Sequence, residues 1–589
     1  MFAKAYPILR LPRRFTVFDY AIPEGTSVSV GDVIQIPFRH RTVLGVVKSI
    51  TESTSEKRVL DITSGSIGFT IPEIDLARIE TIASELGQSI SSILNVAYEG
   101  LNPYPPSKDF PSRRNNENIG HSKASPKIDL ETIASVHTVI DRLKTDRTIA
   151  LACDDETFCV LAHAICKTTT NQVVILAPRE RDARLIAGML SQFVPSILTG
   201  KIPPRDRNRI LRSWRNGDTR ILVGTRQSVL AAAQSLGAVL VYQSGCEDHG
   251  SPLRNPHIDS VRVAEALAQS ANSIFVSADV FPTPSATLPL LVTNDGTDPA
   301  LVDVVHKGEN SPYPLMSQTL LESIKLALQS QKRVLLSFNR KGVAKRMECK
   351  ACGHVPFCGT CGSLPMVRLD DLLCTACGTE MWRPTTCPAC GSPKIGLKSI
   401  GGAKIADDLH KAFPEATIGH IQKGRIDHNA NIILATEFFF SSVIEPFATY
   451  NFGVVAEILG DLSFTPGDYR GAEITARKIA RLRHLAYREH AECIIQTLTR
   501  DRLQSLLGAE YVNRVELEAR KKYSLPPFGI VVEFEGETKE TLPIEIGNRI
   551  LVRDDATHRL YAKIDHETFI IWQKLFPTIP DSIKIRVSE

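Results

Sequence analysis

The sequence predicts a multidomain α/β protein. It has a β-rich N-terminal domain, two regions of alternating strand and helix, a cysteine-rich insertion in the second of these, and a small mixed C-terminal unit. Three observations lead there. The length of 589 residues corresponds to about four domains at roughly 150 residues each. Short β-rich runs alternate with helical stretches twice along the chain, which implies parallel sheets with crossover helices. Eight of the 13 cysteines fall between Cys349 and Cys390, inside the second alternating region.

In chain order, residues 1–103 open with FTVFDYAI, GDVIQIPF and TVLGVVKSI, read as strands separated by Gly and Pro turns. One helical stretch follows, IPEIDLARIETIASELGQSISSIL. Residues 104–128 are rich in Pro, Ser and Asn without periodicity and read as a linker. The first alternating region, 129–300, has strands at TIALAC, VVILAP, RILVGT, AVLVY and SIFVSA, with ETFCVLAHAI, RERDARLIAGML and RDRNRILRSWRNG as helices between them. The second comprises 301–348 and 391–512 and includes RVLLSF, NIILAT, FGVVAEI and ECIIQTL. The insertion is 349–390, and 513–589 form the last unit.

Composition excludes several classes. At 43% hydrophobic and 23% charged residues the chain is ordinary for a globular protein, which argues against long disorder or a coiled coil. No run of 18 apolar residues exists, so no membrane span is expected. MFAKAYPILRLPRRF has no apolar core of a secretory signal, and a cytoplasmic setting is expected. The net charge of 69 − 65 = +4 decides little about partners.

The insertion contains four C-x-x-C-G knuckles: 349–353, 358–362, 374–378 and 387–391. Both sulfurs of such a turn face one metal, and the following Gly lets the backbone fold back. Eight thiolates at four per ion give two closed Zn²⁺ sites with no open position for water, so both are structural. Spacing leaves three pairings open, although the 12 residues between the second and third knuckles are near a zinc-ribbon span. Cys153, Cys159, Cys166, Cys246 and Cys493 are scattered in apolar stretches and read as small buried hydrophobes.

With these knuckles the chain resembles the bacterial replication-restart helicase family of primosomal protein N′. Asn339-Arg340-Lys341-Gly342 stands before the insertion as the family's N-R-[RK]-G does. Phe18-Asp19-Tyr20, Val30-Gly31-Asp32-Val33 with Ile36-Pro37-Phe38, and Val223-Gly224-Thr225-Arg226 are similar to further family motifs. So are Asp461 with Pro466, Asp468-Tyr469-Arg470 and Ala472-Glu473, and Arg520 with Tyr523 and Pro526-Pro527-Phe528. The resemblance implies two RecA-like lobes and an N-terminal domain that binds the 3′ end of DNA. It also implies the pairing of Cys349, Cys352, Cys387 and Cys390 for one zinc, and of Cys358, Cys361, Cys374 and Cys377 for the other.

The departures bear on the motor. Such a helicase needs G-x-x-x-x-G-K-[ST] after the first strand, where amides and a Lys cradle phosphate. After TIALAC this chain has Asp154-Asp155-Glu156-Thr157. A carboxylate about 5 Å from a phosphate charge costs roughly 3 kcal/mol at an effective dielectric near 20. Tyr242-Gln243-Ser244-Gly245-Cys246 replaces the family's acidic D-E-E-H-D box, with Glu247-Asp248-His249 a few residues later. Ala435-Thr436-Glu437 replaces G-T-Q, and Lys478 to His484 replaces the arginine-finger segment. No winged-helix domain fits between 104 and 128, and Arg39 stands where the family has Gly.

The expectation is a non-catalytic protein that binds stalled replication forks and promotes reloading of the replicative helicase. An ATP-dependent 3′–5′ helicase with atypical motifs, or a zinc-ribbon module unrelated to forks, is the alternative. By resemblance, Asp19 accepts from a terminal 3′-OH and Phe18 and Tyr20 pack on the terminal nucleotide. Arg39, Arg41, Lys57 and Arg58 are candidates for backbone phosphate contacts. Partners are forked and single-stranded DNA, other primosome proteins and the helicase or its loader.

Overall fold

Side chains of the first strand alternate between the two faces of a sheet that the whole N-terminal domain builds. In the computed structural model, the strands β1 (Phe2–Pro7), β2 (Phe18–Ala21), β3 (Asp32–Phe38), β4 (Arg41–Thr51), β5 (Leu60–Asp61) and β6 (Ser64–Thr70) form one sheet in the order β5-β2-β1-β4-β3-β6. The residues described are 1–15, 17–102, 134–250, 256–293, 296–303, 313, 315–338, 345–352, 354–356, 358–360, 365–367, 371–373, 379–399, 402–445, 448–460, 469–497, 500–536, 542–550, 552–554 and 559–588. Sequence reading places no strand at residues 2–7, yet β1 pairs with both β2 and β4. Its residues Ala3, Lys4 and Ala5 carry weak β preference; two partner strands override it. The single helical stretch expected after the sheet is two helices, α1 (Glu73–Glu85) and α2 (Ile90–Tyr98). Gly87 separates them with φ +59°, a left-handed conformation that ends a helix.

The first alternating region contains α3 (Ala134–Asp146), β7 (Thr148–Ala152), α4 (Asp155–Thr168), β8 (Gln172–Leu176), α5 (Glu180–Met189), β9 (Ser196–Leu198) and α6 (Pro204–Arg215). It continues with β10 (Ile221–Gly224), β11 (Leu236–Tyr242), α7 (Ser260–Ser270), β12 (Ile274–Asp279) and β13 (Leu290–Val292). The sheet order is β13-β7-β12-β11-β8-β10-β9, and β8 through β12 pair in parallel. Near-continuous Val, Ile and Leu in β8, β10 and β11 fit a sheet covered on both faces. Ile79, Ile93 and Val96 of α1 and α2 share one apolar core with Leu211, Trp214 and Phe275 of this region.

The second region contains β14 (Ala300–Asp303), α8 (Gln318–Gln329), β15 (Arg333–Ser337), and then the insertion strands β16 (Lys345–Cys349), β17 (Met366–Val367), β18 (Asp371–Leu373), β19 (Glu380–Trp382) and β20 (Ile395–Ser399). After the insertion come α9 (Gly402–Ala412), β21 (Ile418–Gln422), β22 (Arg425–Ile426), β23 (Ile432–Ala435), β24 (Phe452–Glu457), α10 (Gly471–Glu489) and β25 (Glu492–Thr497). Its sheet order is β14-β25-β24-β15-β23-β21-β22, parallel except for β22. The chain closes with α11 (Arg500–Gln504), α12 (Ala509–Lys522), β26 (Ile530–Glu535), α13 (Ile544–Gly547), β27 (Val552–Asp554), β28 (Arg559–Ile564), α14 (His566–Leu575) and β29 (Lys584–Ser588). The last four strands form an antiparallel sheet ordered β27-β28-β26-β29.

Two compact units result. One is Met1–Leu151, Glu156–Leu291 and Leu517–Glu589; the other is Ala152–Asp155 and Val292–Glu516. Among the described residues no helix is long and apolar enough to cross a membrane. The linker expected at 104–128 and the Asn339–Gly342 motif lie outside the described residues.

Candidate nucleic-acid interface and metal centre

The β1–β2 register sets Lys4 opposite Asp19. Lys4 Nζ stands 3.5 Å from Asp19 Oδ1, and the Thr54 hydroxyl donates to Asp19 Oδ2. The Asp19 side chain is only 7% exposed, so its carboxylate is an oriented acceptor with a cation beside it. Sequence reading found Asp19 but neither Lys4 nor Thr54, because both arrive from distant strands or loops.

Successive side chains of a strand point to opposite faces. Tyr20, 4% exposed, belongs to the apolar core with Ile34, Ile36 and Val47, and Phe18 packs against that core. Burial pushes the Tyr20 hydroxyl up to about 12. Tyr20 is therefore a core side chain, which corrects the expectation that it packs on a nucleotide. Phe18 keeps part of its ring at the surface, edge-on to Phe38 with centroids 5.4 Å apart. Arg39 lies in the two-residue turn between β3 and β4 with φ +58°, and its guanidinium is 6.0 Å from the Phe38 ring centre. Arg41, Lys57 and Arg58 are exposed.

The insertion brings four sulfurs together. β16 and β20 pair antiparallel, which sets the first knuckle beside the last. Cys349 Sγ is 3.6 Å from Cys390 Sγ, Cys352 Sγ is 3.6 Å from Cys387 Sγ, and all four sulfurs lie within 4.8 Å of one another. A disulfide needs about 2.0 Å. Four thiolates around one Zn²⁺ at about 2.3 Å stand roughly 3.8 Å apart, so the donor set fits that ion. Gly391 donates its N–H to the Cys387 carbonyl at 2.8 Å with φ +70°, the fold-back expected after a knuckle. Burial opposes ionisation of Cys349, but hydrogen bonds from the backbone at Cys352 and Ala351 and from neighbouring thiols bring it down to about 6. Cys358 is buried; Cys361, Cys374 and Cys377 lie outside the described residues.

In the first alternating region only Cys153 and Asp154 separate β7 from α4. Phe158 on α4 packs on Tyr242 at the end of β11, with ring centroids 5.0 Å apart, and Tyr242 is 2% exposed. Of the later Glu247-Asp248-His249, two side chains have protein partners. Arg179 Nε donates to Asp248 Oδ2 at 2.6 Å, and the buried His249 bonds the Tyr242 carbonyl at 3.0 Å and Ser260 Oγ at 3.2 Å. Asp279 accepts from the N–H groups of Gly245 and Val280 at 2.9 and 2.7 Å.

In the second region three cations of the segment from Lys478 to His484 are held inside the unit. Lys478 Nζ bonds the buried Glu457 at 2.7 Å, Arg481 bonds Glu437 at 2.7 Å, and Arg483 reaches the Thr297 carbonyl at 3.0 Å and Asp298 at 3.2 Å. Burial raises the Glu457 carboxyl above its ordinary value, against the opposing pull of Lys478. Phe439 and Phe440, from the uncharged FFFSS segment, are core residues, with Phe439 packed on both Phe440 and Tyr450. Asp461, Pro466 and Asp468 lie outside the described residues, whereas Glu473 is buried against Arg477 at 2.6 Å.

Comparison with known proteins agrees with the sequence motifs. Residues 8–98 match the family model of the PriA 3′ DNA-binding domain. The chain is 23% identical to the replication restart protein PriA of Rickettsia felis over 87% of this chain and 83% of that protein. It is 25% identical to the replication restart protein PriA of Bacillus subtilis over 53% of this chain and 42% of that one. Among solved structures, RecG bound to a three-way DNA junction is similar at 12% identity and a TM-score of 0.37, over 66% of this chain and 47% of that chain.

Proposed function

We propose that this chain, a relative of the replication restart protein PriA, binds abandoned DNA replication forks through the 3′ end of a strand and acts as a platform for restart without a motor of its own. One observation carries the reading: within the segment that matches a 3′ DNA-binding domain, Asp19 presents a carboxylate that already accepts one hydroxyl, that of Thr54. A terminal 3′-OH has the same chemistry and would take the place of Thr54 at Oδ2. Lys4 Nζ, 3.5 Å from Oδ1, would offer a cation to the backbone phosphate beside it.

The motor half of the proposal has three supports. The β7–α4 turn has two residues, no Gly and no Lys, where a phosphate cradle needs a glycine-rich loop. Tyr242, packed on Phe158, stands at the position where the resemblance expects a carboxylate for Mg²⁺ and water. Lys478, Arg481 and Arg483 have partners within their own unit. Zn²⁺ is the metal proposed for Cys349, Cys352, Cys387 and Cys390, and a second Zn²⁺ for Cys358, Cys361, Cys374 and Cys377. Each is a closed structural site that fixes the insertion as a surface for single-stranded DNA, other primosome proteins or the helicase being loaded.

Binding of forked DNA with a 3′-OH at the junction is compared with the same fork carrying a 3′-phosphate, at fixed salt. The hydroxyl end binds more tightly, because Asp19 accepts from a hydroxyl and repels a phosphate. Asp19→Ala removes the preference while salt-dependent binding persists. Equal affinity of the wild type for both ends overturns the reading.

A further inference from the structure

Residues 9–15 form an arm held at two points. The Leu11 N–H donates to Ser92 Oγ at 3.2 Å, and Ser92 returns a bond to the Leu11 carbonyl at 3.1 Å. The Arg13 N–H donates to Asp581 at 3.0 Å, and its guanidinium donates to the Ile583 carbonyl. What the arm delivers is Arg14 and Phe15, both at the surface, with Phe15 36% exposed. The Phe15 ring lies nearly parallel to that of Phe18, 27° between planes and 6.3 Å between centroids. Phe18 meets Phe38 edge-on, Arg14 sits 4.9 Å from the Phe15 ring centre, and Arg39 sits 6.0 Å from that of Phe38. Three rings therefore run in a row with a guanidinium at each end.

Arg39 adds an independent sign of use. A two-residue hairpin whose first position has φ near +60° favours Gly, because a Cβ there crowds the following carbonyl. This chain holds an arginine in that conformation at φ +58°. Strain kept at a surface turn points to what the side chain contacts. The pleat adds a constraint. Phe18 and Asp19 are successive residues of β2 and point to opposite faces, so one nucleotide cannot lie flat on Phe18 and bond Asp19.

We propose that Phe15, with Phe18 and Phe38, is a stacking platform for the unpaired base that precedes the 3′-terminal nucleotide of a DNA strand, and that Arg14 and Arg39 hold the phosphates on either side of it. The platform rests on the 3′-end reading above and extends it to a second nucleotide. Stacking on aromatic faces tolerates every base, so the platform reads the presence of an unpaired base and not its identity. A paired end would offer no free face, which selects strands whose last nucleotides have been released from the duplex.

The test uses the full chain and short single-stranded oligonucleotides ending in 3′-OH, by fluorescence anisotropy. Phe15→Ala weakens binding about tenfold, within the range for loss of one stacked base, whereas Phe15→Trp retains it. Removing the penultimate base weakens wild-type binding by a similar factor and adds nothing to Phe15→Ala, since the two changes delete one contact. Arg14→Ala and Arg39→Gly each lower the slope of log affinity against log salt by about 0.7. Phe15→Ala binding within twofold of wild type at unchanged melting temperature overturns the platform, as does independent addition of the two losses. An RNA of the same sequence that binds as well, with the same dependence on Phe15, overturns the assignment to DNA. If wild type fails to distinguish 3′-OH from 3′-phosphate, the end-recognition reading fails; if it distinguishes them and Phe15→Ala is neutral, the platform alone fails.

Discussion

The ring of Phe158 lies 5.0 Å from the ring of Tyr242, and this pair joins the first helix after β7 to the end of β11. Both side chains are almost wholly buried. Turnover of a nucleoside triphosphate is positioning and electrostatic stabilisation of a highly charged group, and such groups act as a unit. Wild type is therefore expected to release no phosphate from ATP in the presence of forked DNA and Mg²⁺. Glu156→Lys, at an exposed position, stays equally inactive. Tyr242→Asp also stays inactive and melts earlier, since burying a carboxylate against Phe158 costs at least about 3 kcal/mol. DNA-stimulated phosphate release by repurified wild type would restore the helicase reading.

The sheets of both alternating regions were legible because their strands are apolar runs of four to six residues that need no partner to be recognised, as in Val173–Leu176 and Ile432–Ala435. The knuckles were legible because metal geometry is written in local spacing. What was not legible depends on distant partners. β1 is ordered by pairing with β2 and β4 and not by its own Ala and Lys residues. Lys4 and Thr54 reach Asp19 only through the fold, and the burial of Tyr20 follows from which face of β2 meets the core. The split at Gly87 is a conformational demand: a Cβ there would stand 3.0 Å from the Phe576 ring.

The metal centre predicts stoichiometry. Fresh, reduced protein should contain two zinc ions per chain by elemental analysis. Cys387→Ser should lose one, because the remaining sulfurs of Cys349, Cys352 and Cys390 no longer close a tetrahedron. It should also expose β16 and β20 to proteolysis, since the closed site ties the two knuckles that flank them. One zinc or none in wild type contradicts the two-site assignment. Retention of both by Cys387→Ser contradicts the ligand set.

Stability of the first unit should fall in mild acid. Burial lowers the pKa of His249 below its ordinary value; Arg179 acts in the same direction, while the Tyr242 carbonyl, Asp259 and Asp279 oppose it. His257 is lowered too, mainly by burial, with Arg586 adding to it. The unfolded chain binds protons at these sites near pH 6.5 and the folded chain does so only lower. The stability conferred by keeping them neutral is thus present above about pH 6.5 and lost as pH falls below it. Melting temperatures between about pH 7.5 and 5 should decline, less steeply in His249→Gln than in wild type. Parallel profiles for the two proteins would remove His249 from the account.

Arg212 makes the most specific prediction about how the DNA-binding domain is carried. From α6 its guanidinium donates to the carbonyls of Gly68 at 3.0 Å, Ile67 at 3.1 Å and Asn102 at 2.9 Å. Arg207 and Arg215, from the same helix, reach the carbonyls of Glu99 and Thr70 at 3.1 and 2.9 Å. One side chain therefore bonds three backbone acceptors, two in β6 and one after α2. Removing a charged donor from such acceptors costs roughly 1.5–3 kcal/mol per bond at most, and water recovers part of it at a partly exposed site. Arg212→Ala is expected to destabilise the first unit by about 3 kcal/mol overall. Arg212→Lys should rescue little, because a single ammonium cannot reproduce the planar fork that spans three carbonyls. Denaturant unfolding gives the magnitude. Limited proteolysis gives the mechanism, with cleavage appearing first around residues 99–102, where Arg207 and Arg212 engage the chain after α2. A variant that unfolds within about 0.5 kcal/mol of wild type, or loses stability with no new cleavage there, would show that the shared apolar core alone holds the domain to the α/β sheet.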